Sequence, residues 1–257
     1  LMSLLSVQGV SLRFGGLQAV DDVSFDVPEG VIKALIGPNG AGKTTLFHLI
    51  SGMLRPDSGS IVFDGRPVQG LRPHQIAAKG MARTFQHIRL FPKMTVLENV
   101  MIGRHIHSRA GFIAGMLNLP FTWKEGRTVA EKGRQVLEFL GVADLADREA
   151  TSLAYGQQRI VELGRALACE PKLLLLDEPA AGLNMRETAE MAALIGRMRD
   201  LGVTVLLVEH DMSLVMNISD EILVLSYGQK IADDRPLAIQ KNSEVIKVYL
   251  GENNVAD

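Results

Sequence analysis

Residues 37–45 read Gly-Pro-Asn-Gly-Ala-Gly-Lys-Thr-Thr. The spacing is that of G-x-x-x-x-G-K-[S/T], with Gly37, Gly42, Lys43 and Thr44 at the fixed positions. Residues of these types in this order suit the binding of a polyphosphate. Glycine lets the backbone over Pro38, Asn39, Gly40 and Ala41 curl until its N–H groups, which Pro38 lacks, converge on one anion. A helix that starts where the loop ends adds the positive end of its dipole. Lys43 brings a full, mobile charge to the β- and γ-phosphates, Thr44 offers a hydroxyl to Mg²⁺, and Thr45 is placed for a further phosphate contact.

A second chemical feature comes late in the chain, where Leu173-Leu174-Leu175-Leu176 runs into Asp177 and Glu178. A strand this apolar is buried on both faces, and it delivers its terminal carboxylates to the carboxyl edge of a parallel sheet. A phosphate loop sits at the same edge. There Asp177 suits holding Mg²⁺, and Glu178 suits polarising a water for attack on a γ-phosphate. Without the upstream loop, the same two acids would read as a solvated turn before Pro179.

The elements that position these groups are legible in the pattern. A strand-like run over 31–36 leads into the loop, and a helix-like run over 44–51 leaves it. Upstream, Val23, Phe25 and Val27 alternate with Ser24 and Asp26 as a half-buried strand does, and Pro28-Glu29-Gly30 ends it. Residues 1–10 read as an opening strand rather than a secretory signal, and Ile61-Val62-Phe63 as a strand before an Asp64-Gly65 turn. Residues 72–165 are mostly helix-like, with candidate helices at 76–80 and 127–140, the second closed by Gly141. Beyond them come a strand at 173–176, a helix at 186–201, a strand at 203–208, a helix at 212–218, a strand at 222–225 and a turn at Tyr227-Gly228. Strands alternating with helices imply a parallel sheet with crossover helices. The expected whole is one unit with a β-rich lobe, an α/β core and an inserted helical lobe.

With 257 residues, 47% hydrophobic and 22% charged, the chain is long and apolar enough for a substantial core. A net charge of −2 argues against a partner held by phosphate neutralisation, so no nucleic-acid partner is expected. The single cysteine, Cys169, excludes an internal disulfide and lies in an apolar helical stretch, where it reads as core. His105 and His107 show no metal-ligand spacing. The apolar stretch 111–121, between Arg109 and Lys124, is too short to span a membrane. Any work at a membrane would need docking to something that spans it.

Residues 151–159 read Thr-Ser-Leu-Ala-Tyr-Gly-Gln-Gln-Arg. Within them Leu153, Ala154, Tyr155, Gly156 and Gln157 resemble L-S-G-G-Q, the signature loop of ATP-binding-cassette (ABC) proteins. Thr84-Phe85-Gln86 resembles the Q-loop of that family, Ala181-Gly182-Leu183-Asn184 its D-loop, and Val208-Glu209-His210 its switch histidine. Phe14 stands where the family places an aromatic ring that stacks on adenine, with core packing as the alternative. The resemblance runs along almost the entire chain. It implies an α/β fold of the P-loop NTPase kind, an ABC nucleotide-binding domain with a RecA-like parallel-sheet core, an antiparallel β subdomain and an inserted helical subdomain. All of 1–257 would be a single domain, with about 1–86 and 160–257 as β subdomain and core and about 87–159 as the helical part.

The resemblance also implies chemistry. ATP would lie against Phe14 and the 37–45 loop, with Mg²⁺ held by Thr44, Gln86 and Asp177. Glu178 would act as the base, and Lys43 and His210 would meet the γ-phosphate. A second ABC ATPase subunit, identical or not, would face the first head to tail, and residues 153–157 of each would close on the other's ATP. Three positions depart from the family pattern: Ala154 for the usual serine, Asn184 for the D-loop aspartate, and Phe14 for the commoner tyrosine.

The runs at 83–91, 153–159, 177–184 and 245–251 are together similar to the branched-chain amino-acid importer group, and most similar to the larger of its two ATPase subunits. An insert at 105–123 agrees with that. The likeness implies two transmembrane permease partners, an indirectly attached substrate-binding protein, and a peripheral place on the cytoplasmic face of the inner membrane. An exporter or lipid-extraction ATPase is the alternative, and a soluble nucleic-acid or ribosome-associated ABC ATPase a weaker one. A permease helix is expected to dock near Gln86, with His87, Ile88, Leu90 and Phe91 as candidates. Core packing of Leu90 and Phe91 is equally open.

Overall fold

The structure is a computed structural model that describes residues 3–104 and 120–251. Alternating apolar and polar residues build its first sheet. β1 (Ser3–Phe14) and β2 (Leu17–Pro28) form an antiparallel hairpin, joined by β4 (Ser58–Phe63) and β5 (Arg66–Pro67) in the order β2-β1-β4-β5. Val7, Val10, Val20, Val23, Phe25 and Val27 fill its inner face. The opening strand runs on to Phe14, past the expected limit at residue 10.

The second sheet takes the continuous apolar runs. It holds β3 (Ile32–Ile36), β6 (Met81–Arg83), β7 (Leu173–Asp177), β8 (Thr204–Val208), β9 (Glu221–Ser226) and β10 (Gln229–Asp234), ordered β10-β9-β3-β8-β7-β6. The pairs β9-β3, β3-β8, β8-β7 and β7-β6 are parallel, and β10 adds an antiparallel edge. Every residue of β3, β7 and β8 is buried, as strands covered on both faces require. One core lies between the two sheets, around Phe47, Phe63 and Leu206. The other lies between the second sheet and the helices, around Leu137, Val161 and Leu207.

Helix α1 (Lys43–Ile50) leads from β3 to β4 of the first sheet, and α6 (Met185–Asp200) and α7 (Met212–Ile218) carry the chain between strands of the second. Between β6 and β7 stand α3 (Val96–Gly103), α4 (Pro120–Leu140) and α5 (Tyr155–Leu167). Thr95 caps α3 by accepting from the Glu98 N–H, and the Glu98 carboxylate accepts from the Thr95 N–H in return. The chain ends with α8 (Pro236–Lys241) and α9 (Ser243–Gly251).

Three expectations need correction. The helix expected at 76–80 is α2 (Pro73–Ala77), because Pro73 begins it at a first-turn position where no N–H is needed. β6 falls inside the stretch read as helical; at three residues it is too short to show a period. β10 was not expected at all, since its mixed sequence forms an exposed sheet edge. His105, His107 and most of the 105–123 insert lie outside the described residues. Among the described residues no helix is long and apolar enough to cross a membrane. Cys169 is half-buried, and burial pushes its thiol pKa up.

Candidate functional site

The order β3-β8-β7-β6 lines up four parallel strands whose carboxyl ends share one edge. The phosphate loop follows β3, Glu209 and His210 follow β8, Glu178 follows β7, and Gln86 follows β6. Residues far apart in the chain therefore meet because their strands are neighbours.

Close packing shapes the loop. Gly42 has φ +98°, and a Cβ built there would sit 2.5 Å from the Ala19 carbonyl oxygen. A Cβ on Gly37 would sit 2.2 Å from the Leu225 carbonyl oxygen. Only glycine tolerates both demands. The loop is tied from outside: the Gly228 N–H donates to the Ala41 carbonyl at 3.0 Å, and the Asp21 N–H donates to the Gly228 carbonyl at 2.8 Å. The Leu46 N–H makes the bond to the Gly42 carbonyl, so the N–H groups of Thr44 and Thr45 precede it and have no intrahelical acceptor. Lys43 folds back, its Nζ donating to the carbonyls of Gly37 at 2.6 Å and Pro38 at 2.8 Å. Asn39, Gly40 and Thr44 are exposed, whereas Ala41 is buried and its N–H donates inside the loop to Pro38.

Glu178 has a left-handed backbone, φ 48°, strained for a residue with a Cβ at a cost of ~1 kcal/mol or more. Its N–H is held by the Val208 carbonyl at 3.0 Å. This sharp turn sends its carboxylate toward Gln86, whose Nε2 donates to Oε2 at 3.0 Å, and toward His210, whose Nδ1 lies 3.9 Å from Oε1. Three of the expected catalytic groups thus converge. Glu209, buried, accepts from the N–H groups of Ala180 at 2.9 Å and His210 at 3.1 Å. It fastens the histidine segment to the turn after Glu178. Burial raises its pKa, partly offset by those two N–H donors.

Asp177 is buried, and its Oδ2 lies 2.8 Å from Nη2 of Arg83. His48, one turn beyond Thr44 on α1, is pushed below its ordinary pKa by burial and by Arg83, against an opposing pull from Asp177. Thr44 follows β3 and Asp177 ends β7, so a single strand, β8, separates the two at the shared edge. A carboxylate, a hydroxyl and the Gln86 amide are hard oxygen donors of the kind Mg²⁺ prefers, and a cationic group already sits on Asp177, so the residues fit this metal. Among the described residues no group of His, Cys, Asp and Glu forms a self-contained metal cluster.

Phe14 ends β1 with 49% of its surface exposed, which removes the core-packing alternative. It shares a hairpin with Ala19, the residue against Gly42.

The signature loop lies elsewhere, against the D-loop. A Cβ on Gly182 would sit 3.0 Å from the Tyr155 ring, and one on Gly156 would meet the Glu187 carboxylate at 2.6 Å. Ala154 is the N-cap of α5, its N–H donating to the Gln157 side chain at 3.3 Å. Having no side-chain oxygen, it returns nothing to the helix. Ala154 and Tyr155 are exposed. Leu153 is corrected as a ligand-facing side chain: it is 5% exposed and packs in the core, so it anchors the loop. Asn184, read as a weakened D-loop aspartate, caps α6 by accepting from the N–H groups of Arg186 and Glu187, both at 3.0 Å.

Two further ties escaped the sequence. Arg159 donates to the carbonyls of Phe85 at 3.1 Å and Gln86 at 2.5 Å. Glu162, buried beside it with a pKa raised by burial, accepts from the Arg89 N–H at 3.2 Å. Together they strap α5 to the Gln86 segment. The only hint in the sequence was a charged pair inside an otherwise apolar helix face. Of the four residues expected in the docking groove, Phe91 lines a cavity of about 490 Å³ with Phe85 and Met53, while Leu90 packs on the core.

The family described as ABC transporter matches residues 20–181. The chain is 47% identical to the high-affinity branched-chain amino acid transport ATP-binding protein BraF of Pseudomonas aeruginosa, over 97% of this chain and 98% of that one. It is 44% identical to LivG of Escherichia coli K12, described in the same words, with the same coverage. Among solved structures it superposes on the ADP conformation of an ATP-binding cassette of an ABC transporter, with TM-score 0.85, 34% identity, and 98% and 100% of the two chains covered. A nucleotide-free cassette gives TM-score 0.84 at 33% identity, covering 96% of this chain and 99% of that one. The loop at one sheet edge, the acidic strand end beside it and this likeness along the chain agree: it belongs to the ABC transporter family, as an ATP-binding domain.

Proposed function

We propose that this chain is the ATP-binding and ATP-hydrolysing subunit of an importer that takes up amino acids, branched-chain ones by the likeness to its named relatives. The observation that carries the reading is the convergence of Glu178, Gln86 and His210 at the sheet edge where the 37–45 loop lies. The loop N–H groups and Lys43 hold the phosphates, with Lys43 exchanging its two carbonyl partners for phosphate oxygens. Phe14 offers its exposed ring to the base. Thr44, Asp177 and Gln86 are the residues that would hold Mg²⁺, which supplies charge neutralisation at the phosphates. Glu178 accepts the proton of the attacking water, and His210 and Gln86 orient the groups around it.

Gly156 is buried, but Ala154 and Tyr155 are exposed at the start of α5. They therefore suit the ATP of a second cassette, identical or not, where the helix N-terminus adds positive potential. ATP would bridge the two subunits, and its loss would release them. Two permeases, and through them a substrate-binding protein, complete the assembly at the cytoplasmic face of the membrane. The division into a core with β subdomain (about 1–86 and 160–257) and a helical part (about 87–159) belongs to the same proposal.

The test is Glu178→Gln. It should bind ATP as the parent does, accumulate as a dimer in light scattering, and lose turnover by about 10²- to 10⁴-fold. Turnover at the parental rate would remove Glu178 as the base. Leucine uptake into proteoliposomes carrying the co-purified permeases tests the importer; outward transport instead would favour the exporter alternative.

A further inference from the structure

Arg83 is the last residue of β6 and lies directly before the Gln86 segment. Its side chain is 9% exposed and that of Asp177 6%, and their 2.8 Å contact joins two nearly buried charges. Nη1 donates to the Ser51 hydroxyl at 2.7 Å, and that hydroxyl donates to the Phe47 carbonyl at 2.7 Å. The guanidinium is near two aromatic rings, 5.6 Å from the centre of Phe47 and 5.8 Å from that of Phe85. Nε is buried and has no hydrogen-bond partner.

These contacts conflict with one another. An unsatisfied buried N–H is costly, so the arginine is held where it is mainly by Asp177 and Ser51. The same side chain lines the cavity of about 490 Å³ beside Met53, Ile76, Phe85 and Phe91, so it has space into which it can withdraw. Asp177 in turn is the carboxylate assigned above to Mg²⁺. The guanidinium holds one oxygen of that carboxylate, Oδ2, and a divalent cation brought to the same group meets its positive charge at close range.

We infer that Arg83 is a positioning residue that competes with Mg²⁺ for Asp177: it holds the carboxylate in place while the metal is absent and must swing toward the cavity when the metal binds. The inference rests on the reading of Asp177 as the metal carboxylate.

The test measures Mn²⁺ as the probe metal. Its free EPR signal is titrated with the full chain in excess ADP, so no turnover is involved. Arg83→Gln should bind Mn²⁺ about ten- to a hundredfold more tightly, the worth of a hydrogen-bonded charge. Removing any nearby positive charge would help a metal, so Ser51→Ala decides the mechanism. It leaves every charge in place and only loosens the arginine, and it should tighten Mn²⁺ about threefold. Asp177→Asn controls for the underlying reading. If it leaves Mn²⁺ binding unchanged, Asp177 is not the metal carboxylate and both statements fail. If Asp177→Asn weakens binding while Ser51→Ala does not tighten it, the competition is refuted and the metal assignment stands. Should Arg83→Gln fail to fold by circular dichroism, Ser51→Ala alone decides.

Discussion

Replacing Gly42 by alanine tests whether the geometry of the phosphate loop, and not its composition, is what the site needs. Two costs can be worked from the structure. The φ of +98° is unfavourable for any residue with a Cβ, by ~1–2 kcal/mol. The added Cβ would also stand 2.5 Å from the Ala19 carbonyl oxygen, where ordinary contact begins at 3.4 Å. Ala19 is backbone in a paired strand, and Gly228 on the other side, 3.4 Å away, is tied to Ala41 and Asp21. Neither can yield cheaply, and overpacking of this kind costs ~1–3 kcal/mol. Gly40 is the internal control: its φ is +78°, but a Cβ there meets nothing within 4 Å, so Gly40→Ala carries only the first cost. Urea denaturation should therefore place Gly42→Ala ~1–3 kcal/mol below Gly40→Ala. Titration with a non-hydrolysable ATP analogue should show at least a further tenfold loss of affinity, because a small displacement of a positioning loop is felt strongly. Equal stability of the two variants, within ~0.5 kcal/mol, would refute the close approach to Ala19 as the reason for glycine.

Ala154→Ser should restore an N-cap oxygen to α5, raising stability by ~1 kcal/mol and lengthening the life of the ATP-bound dimer, as read by thermal melting and light scattering. Asn184→Ala should cost ~0.5–2 kcal/mol by removing the cap of α6, and an unchanged melting curve would show the cap to be idle. Glu209 gives a pH signature with a definite sign. Its folded pKa is raised above the ordinary 4.5, so the stability it contributes is present below that value and is lost as pH climbs through the raised one. Glu209→Gln should therefore gain on the parent as pH rises through that window; a stability difference independent of pH would contradict the raised pKa.

The site was legible in the sequence wherever its chemistry is carried by consecutive residues. A phosphate cradle is made of successive N–H groups, so the run 37–45 announced itself. The carboxylates of Asp177 and Glu178 were placed at a strand end because a short apolar run stopped by two acids and a proline suits a buried strand that ends at a sheet edge. The cap that Asn184 gives α6 went unread, although its Asn-x-x-Glu spacing is local, because the residue was noted only for its likeness to the D-loop. β6 and β10 were missed for want of period, one being too short and the other lying at an edge.

What lay beyond reach was every contact that joins distant segments. Arg83 meets Asp177 across 94 positions, and Arg159 meets Gln86 across 73. Gln86 and Glu178 face each other because β6 was laid beside β7, and His210 joins them because β8 flanks the other side. Local backbone chemistry can be read from neighbouring letters, since the forces that set it act within a turn or a strand. Strand order is chosen by the packing of the entire core, and no short stretch of the chain contains that information.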